Sequence, residues 1–185
     1  GELRIYKTLG KLINLKNELE AKKYELKHPS SGIGHIRWAT HGSPSLVNAH
    51  PHTCTCGRLV VVHNGIIENY KELREELIKK GCKFKSQTDT ETIAHLVADE
   101  YANSKDLEIA VRNSVKKLQG AYAICVMHKD TPDLIVGARK HAPMVIGCGE
   151  GENFIASDIP AIIEYTKKTI YLEDNEIAVV TKDKV

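Results

Sequence analysis

From Gly120 onward the sequence breaks into six short segments, AYAICVM, DLIVGARK, PMVIGCG, NFIASD, TIYL and EIAVV, rich in β-branched and aliphatic residues and separated by turn formers. This half can only be mostly sheet. Upstream the apolar period lengthens to that of a helix. ENYKELREELIKKG brings Leu73, Leu77 and Ile78 onto one face and ends in the Lys-Lys-Gly of a helix C-terminus. TDTETIAHLVADEY opens with Thr88 and Glu91 at capping-box spacing, and SKDLEIAVRNSVKKLQG carries the pattern through Leu107, Val111, Val115 and Leu118. Earlier still, GKLINLKNELEAKKYELK sets Leu12, Leu15, Leu19 and Leu26 among lysines and glutamates, a surface helix with one apolar stripe that HPSSG ends. Between these helices GIGHIRW reads as a strand running into a loop, SPSLVNAHPHTCTCG as irregular, and RLVVVHNG as a short strand stopped by Asn-Gly. Helices in the first two thirds and strands in the last predict an α+β sandwich with helical layers outside the sheets.

At 185 residues the chain is long enough for one buried core, and nothing in it calls for a domain boundary. Lys plus Arg number 26 against 24 Asp plus Glu, spread without a basic block, so no nucleic acid partner is expected. No apolar run approaches the roughly 20 residues that span a bilayer, and the first residues lack the layout of a signal peptide. A cytoplasmic protein without a membrane partner follows. The five cysteines form no disulfide framework, which suits reduced thiols.

Six of the nine histidines, His28, His35, His41, His50, His52 and His63, fall within 36 residues, and HPHTCTC packs two of them beside Cys54 and Cys56. Zinc ligands, however, usually pair as C-x₂₋₄-C or H-x₃₋₅-H, and here both pairs are separated by one residue. No metal is expected; the histidines fill loop hydrogen bonds and the cysteines are hairpin residues. His63-Asn64-Gly65 reads two ways. Asn-Gly after a strand is the commonest hairpin signal, but an Asn amide beside a glycine N–H also makes a pair of oxyanion donors. Asp89 reads either as a first-turn acid complementing the helix dipole or as a ligand for a cation. Arg37 is a solvated strand-end arginine or an anion fork, and Trp38 a rim residue. Taken together, Arg37, Asp89, Asn64 and Gly65 supply what a free amino acid asks of its pocket: a fork for the carboxylate, an acid for the ammonium and neutral donors for a reacting carbonyl.

HIRWATHG, NAHPH, VVHNGIIENY and TDTETIAHL, followed by LQGAYAI and GENFIASD, resemble in order the motifs of the glutaminase domains (class II glutamine amidotransferase type) of the glutamine-fructose-6-phosphate aminotransferases, a likeness that runs through nearly the whole chain. The resemblance implies an N-terminal-nucleophile hydrolase fold, an αββα sandwich of antiparallel sheets. It implies that Arg37 clamps the α-carboxylate of L-glutamine with help from Thr40 and His41, that Asp89 and the Gly65 region hold the α-ammonium, that Asn64 and Gly65 form the oxyanion hole, and that Trp38 sits in a loop closing over the substrate. The implied reaction is amide hydrolysis through a γ-glutamyl thioester, without a cofactor, yielding L-glutamate and ammonia for a sugar isomerase domain of the same polypeptide, in a parent enzyme that assembles from identical copies. Other class II amidotransferases, or a glutamine-binding module without a nucleophile, are the alternatives.

Against that family pattern the chain starts at Gly1 and has no cysteine before Cys54, whereas the family begins with a cysteine whose thiol and α-amine act together. The expectation is therefore a glutaminase domain over residues 1–185, truncated at its N-terminus and without isomerase domains, inactive as it stands and with sheet edges left unpaired. Cys125, in an apolar strand, is expected to be inert core.

Overall fold

Along one strand Leu59, Val61 and His63 alternate with Val60, Val62 and Asn64, and this period of two decides which side of a sheet each residue serves. The computed structural model describes residues 2–23, 29–38 and 42–185. Eight strands are numbered in chain order: β1 His52–Thr53, β2 Leu59–Ile67, β3 Gly120–His128, β4 Thr131–Lys140, β5 Val145–Cys148, β6 Asn153–Ala156, β7 Thr169–Tyr171 and β8 Ile177–Val180. One antiparallel sheet runs in the order β1-β2-β3-β4-β8 and a second in the order β6-β5-β7. The helices are α1 Leu12–Ala21, α2 Tyr70–Lys79, α3 Asp89–Ser104 and α4 Leu107–Val115.

The larger sheet is buried on both faces, and β3 shows how. Its Tyr122, Ile124 and Val126 meet α3 and α4 through Ile93, Val97, Leu107 and Val111, while Ala123 and Cys125 turn the other way, toward Met144, Ile146 and Leu172 of the second layer. A strand buried on both sides reads as an unbroken apolar run, which is how AYAICVM reads. Each large aliphatic side chain in these layers contributes roughly 1.5–3 kcal/mol. Gly137 of β4 lets the sheets approach, since a Cβ there would sit 3.0 Å from Met144 Sδ and 3.3 Å from Ile155 Cδ1. Helices α2 to α4 form one outer layer. Beyond the smaller sheet a 3₁₀ turn, Ile159–Ala161, leads Ile162 and Thr166 over Gly147, so that outer layer is a turn rather than a full helix.

The helix and strand expectations hold for every segment after Gly120 and for α2 to α4, with corrections of detail. Ile78 is 51% exposed, because it lies a third of a turn from Leu77 and off the buried face. The capping box is half made. Thr88 accepts from the Glu91 amide, but the Glu91 carboxylate turns instead to Lys85 N at 2.8 Å, Ser86 N at 2.6 Å and Ser86 Oγ at 2.7 Å. Leu118 is buried just beyond α4, in the turn that leads to β3.

Three expectations upstream fail. SPSLVNAHPHTCTCG is not irregular throughout, since β1 within it pairs His52 with Val61 and Thr53 with Val60 of β2. GIGHIRW is not a strand: residues 31–38 run extended with alternating exposure but no ladder, fixed by Ser31 Oγ donating to the Pro132 carbonyl, Ser30 Oγ donating to Asp133 at 2.6 Å and a contact from His35 to Asn64. Nor does Asn-Gly stop β2, which continues through Gly65, paired with Tyr122, to Ile67. The leucine stripe of α1 packs only partly, leaving Leu12 62% exposed and no residue of the helix buried. Leu26 and His28 lie outside the described residues. No described helix is long and apolar enough to cross a membrane.

Candidate active site

Where β2 ends beside the start of α3, a cavity of about 310 Å³ opens, lined by His35, Arg37, Trp38, His63, Asn64, Gly65, Thr88 and Asp89 among others. That volume is at the small end of the roughly 300 to 1,000 Å³ of small-molecule pockets. Three elements build it: the far end of β2, the first turn of α3 and the extended strip 35–38.

Gly65 shows why β2 needs a glycine here. It has φ +127°, and a Cβ would meet the Ala121 carbonyl oxygen of the neighbouring strand at 2.1 Å. No other residue fits, which removes the hairpin reading and leaves Asn64 and Gly65 exposed at the cavity wall. Asn64 is oriented from the other side: His35 Nε2 donates to its Oδ1 at 2.8 Å. With the amide oxygen occupied, the Asn64 NH₂ is the group left to donate elsewhere.

Asp89 is 4% exposed, and its Oδ2 accepts from the Ile67 amide at 2.9 Å, tying α3 to the end of β2. It is therefore more than a dipole acid. A carboxylate has about four lone-pair positions, and capacity beyond this bond is left for a cation in the cavity. Thr90 stands beside it, with Oγ1 3.0 Å from His63 Nδ1 and 3.5 Å from Asp89 Oδ1. His50 takes the His63 amide on Nδ1 at 3.3 Å, stacks on His35 with ring centroids 4.0 Å apart and meets His52 edge-on at 5.0 Å. His52 Nε2 reaches Thr88 Oγ1 at 3.1 Å.

Burial holds His35, His50 and His63 below the ordinary imidazole range and brings His52 down to about 4. The stacked rings are thus neutral near pH 7, and neutral His35 with its hydrogen on Nε2 leaves Nδ1 buried and without a hydrogen-bond partner among the described residues. For Glu91, burial alone would raise the carboxyl, but the His95 ring, the Ser86 hydroxyl and the Lys85 and Ser86 amides outweigh it and bring it to about 2.

Arg37 lines the cavity and donates to the Gly42 carbonyl at 3.0 Å and to the Ser43 carbonyl at 3.5 Å. Trp38 is 89% exposed and covers no core, against the expectation of a rim residue. A second cavity, of about 340 Å³, lies on the other side of residues 35–38, between them and residues 6–15. The strip is therefore a partition with space on both sides, and such weakly packed segments are the ones that move. Thr40 and His41 lie outside the described residues.

The structure thus gathers Arg37, Trp38, Asn64, Gly65 and Asp89 around one space. It adds His35, His50, His63, Thr88 and Thr90, which spacing alone assigned no role in the site. The signal for His63 was in the alternation: it follows Leu59 and Val61 on the face of β2 turned to α3. Of the four residues of HPHTCTC that suggested a metal, His50 lines the cavity, His52 lies behind it against Thr88, and Cys54 and Cys56 belong to a turn. Cys125 lines an adjoining cavity between the sheets, of about 440 Å³, which shares His35, His63 and Asn64 with the first, and burial pushes its thiol up to about 12.

Residues 40–164 match the glutamine amidotransferase domain family. The chain belongs to that family. Among curated relatives this amidotransferase domain is similar to the isomerizing glutamine-fructose-6-phosphate aminotransferase of Aquifex aeolicus, 54% identical over all 185 residues of this chain and 30% of that protein. The same enzyme of Symbiobacterium thermophilum is 57% identical over 154 residues, 83% of this chain and 25% of that one. The chain spans about 30% of the length of the curated relatives it matches. Among solved structures the domain is similar to the glutamine phosphoribosylpyrophosphate amidotransferase of B. subtilis complexed with ADP and GMP, with 27% identity, a TM-score of 0.63 and coverage of 80% of this chain and 32% of that one. The fold is accordingly the α+β sandwich of the N-terminal-nucleophile amidotransferases.

Proposed function

We propose that residues 1–185 form the glutamine-hydrolysing domain of a glutamine-fructose-6-phosphate aminotransferase, releasing ammonia from L-glutamine for amino-sugar synthesis. The observation that carries the reading is the convergence of Arg37, Asn64, Gly65 and Asp89 on one cavity. Arg37 takes the α-carboxylate, a bidentate contact helped by Thr40 and His41, and Asp89 takes the α-ammonium. The amide carbonyl then lies against Asn64 Nδ2 and the Gly65 N–H, donors set in place before charge develops on the oxygen. Trp38 closes over the bound amino acid and excludes water.

The nucleophile of this chemistry is a thiol whose own α-amine removes its proton. It adds to the amide carbon, ammonia leaves with a proton returned by the amine, and water cleaves the thioester to L-glutamate. No cysteine lines the cavity among the described residues, so the thiol is one that the full-length protein supplies. That protein also supplies the sugar isomerase domain that consumes the ammonia; it is cytoplasmic and assembles from identical copies. Identities of 46–57% to the hexosamine enzymes, against 27–28% to the phosphoribosylpyrophosphate amidotransferase structures, favour this branch of the family.

The test is ammonia release from L-glutamine by the full-length protein, with equimolar glutamate. Asn64→Ala is expected to lower kcat by about 10²–10³. Absence of release, or full activity in Asn64→Ala, refutes the reading.

A further inference from the structure

Cys54 and Cys56 occupy a tight turn between β1 and β2, closed by the Gly57 N–H donating to the Cys54 carbonyl at 3.0 Å, with Gly57 in the left-handed region at φ +68°. The turn is anchored below by the Lys83 amide, which donates to Thr55 Oγ1 at 3.0 Å. Alternate residues of such a turn come within bridging reach, and the two Sγ atoms lie 2.8 Å apart. The thiols differ in kind. Cys54 is buried at the edge of the helical core, whereas Cys56 is exposed. Burial alone would push the Cys54 thiol up, yet a hydrogen bond from Cys56 and the amides of Arg58, Leu59 and Cys56 outweigh it and hold Cys54 below the ordinary thiol value. Burial and the same contact push Cys56 up. Neither residue lines the amino-acid cavity, so the glutaminase reading leaves the pair without a task.

We propose that Cys54 and Cys56 form a redox-active dithiol, a modification site whose oxidants are low-molecular-weight disulfides. Exposed Cys56, as thiolate, attacks one sulfur of the disulfide, breaks its S–S bond and expels one small thiolate, leaving a mixed disulfide on Cys56. Cys54 then attacks Cys56 Sγ, expels the second small thiolate and closes the Cys54–Cys56 bond. Two protein thiols are oxidised, one disulfide is reduced to two thiols, and the two protons pass to the departing thiolates. The arrangement suits this division of labour: the outer sulfur is accessible, and the inner one is held in contact with it, where backbone N–H groups favour its thiolate form. A bond between residues two apart closes a small ring, so excess thiol reopens it and the pair acts as a switch rather than a staple.

The experiment exposes the purified full chain to oxidised glutathione and follows it by intact mass and peptide mapping. Wild type is expected to lose two hydrogens, retain no glutathione, map the new bond to Cys54–Cys56 and revert with dithiothreitol. Cys54→Ser, lacking the resolving thiol, is expected to keep one glutathione on Cys56. Cys56→Ser is expected to react at this turn at least about tenfold more slowly, because the remaining thiol of the pair, Cys54, is buried. A lasting glutathione adduct on wild-type Cys56, a bond from Cys54 to half-buried Cys82 instead, or no thiol lost would each overturn the proposal. The wild-type mapping decides the matter even where a serine variant fails to fold.

Discussion

His35 Nε2 donates to Asn64 Oδ1 at 2.8 Å, and this one bond determines which end of the Asn64 amide is free to face the cavity. In the proposed reaction His35 is thus a positioning residue for the oxyanion donor. His35→Ala in the full-length protein is expected to lower kcat by about 10–100-fold while KM changes less than about twofold, since only transition-state binding is lost. His35→Gln, whose amide N–H reaches the same place as Nε2–H, is expected to recover most of the loss. Equal loss in both variants, or a change confined to KM, contradicts the role.

Gly65 and Gly57 both have positive φ, but only Gly65 has a neighbour in the way. A Cβ at Gly65 meets the Ala121 carbonyl oxygen at 2.1 Å, whereas one at Gly57 meets nothing within 4 Å. Gly57→Ala is expected to cost about 1 kcal/mol, the price of the left-handed conformation alone. Gly65→Ala is expected to cost at least about 3 kcal/mol, because β2 or β3 must also shift. Urea denaturation of the two variants checks the difference, and equal costs contradict the geometry.

Acid weakens the site through its buried histidines and through Glu91, and His52 and Glu91 mark the two pH windows. His52, at about 4 in the folded chain against 6.5 when unperturbed, and Glu91, at about 2 against 4.5, both bind their protons more tightly in the unfolded state. Their contributions are complete above the unperturbed values. That of His52 is lost as pH falls from 6.5 toward about 4, and that of Glu91 as it falls from 4.5 toward about 2. Urea midpoints are expected to decline on acidification over these windows, with His52→Gln making the upper decline shallower but not abolishing it, since His35, His50 and His63 are also held below the ordinary imidazole value. Midpoints that hold or rise through that range contradict the assignment.

Trp38 is 89% exposed and covers no core among the described residues, and in the proposed reaction its role is to close over the ligand. Trp38→Ala is expected to leave the unfolding free energy within about 0.5 kcal/mol of wild type and to weaken glutamine binding by about tenfold. Loss of stability with unchanged binding contradicts the lid role.

The sheets were legible because strands buried on both faces leave short unbroken apolar runs between turn formers, as AYAICVM shows. Helices α2 to α4 were legible through their caps and apolar faces. The strip 31–38 was misread because alternation there reflects an extended chain lying over other elements, with a hydrogen-bonding contact from His35 in place of a ladder. Asn64-Gly65 carried a turn signal by composition, while its real cause, the Ala121 carbonyl against Gly65, comes from a strand 56 residues later and leaves no local trace. The candidate site residues Arg37, Asn64, Gly65 and Asp89 could be named from chemistry and resemblance, but the histidine stack beside them depends on which rings meet in space.

The central claim is that Arg37 and the residues facing it bind an α-amino acid. Calorimetric titration of the chain with L-glutamine tests it most directly, comparing wild type with Arg37→Ala. The account predicts saturable one-site binding in wild type and a loss of at least about 2 kcal/mol, roughly thirtyfold in Kd, in the variant. Absence of binding in wild type, or undiminished affinity in Arg37→Ala, would contradict it.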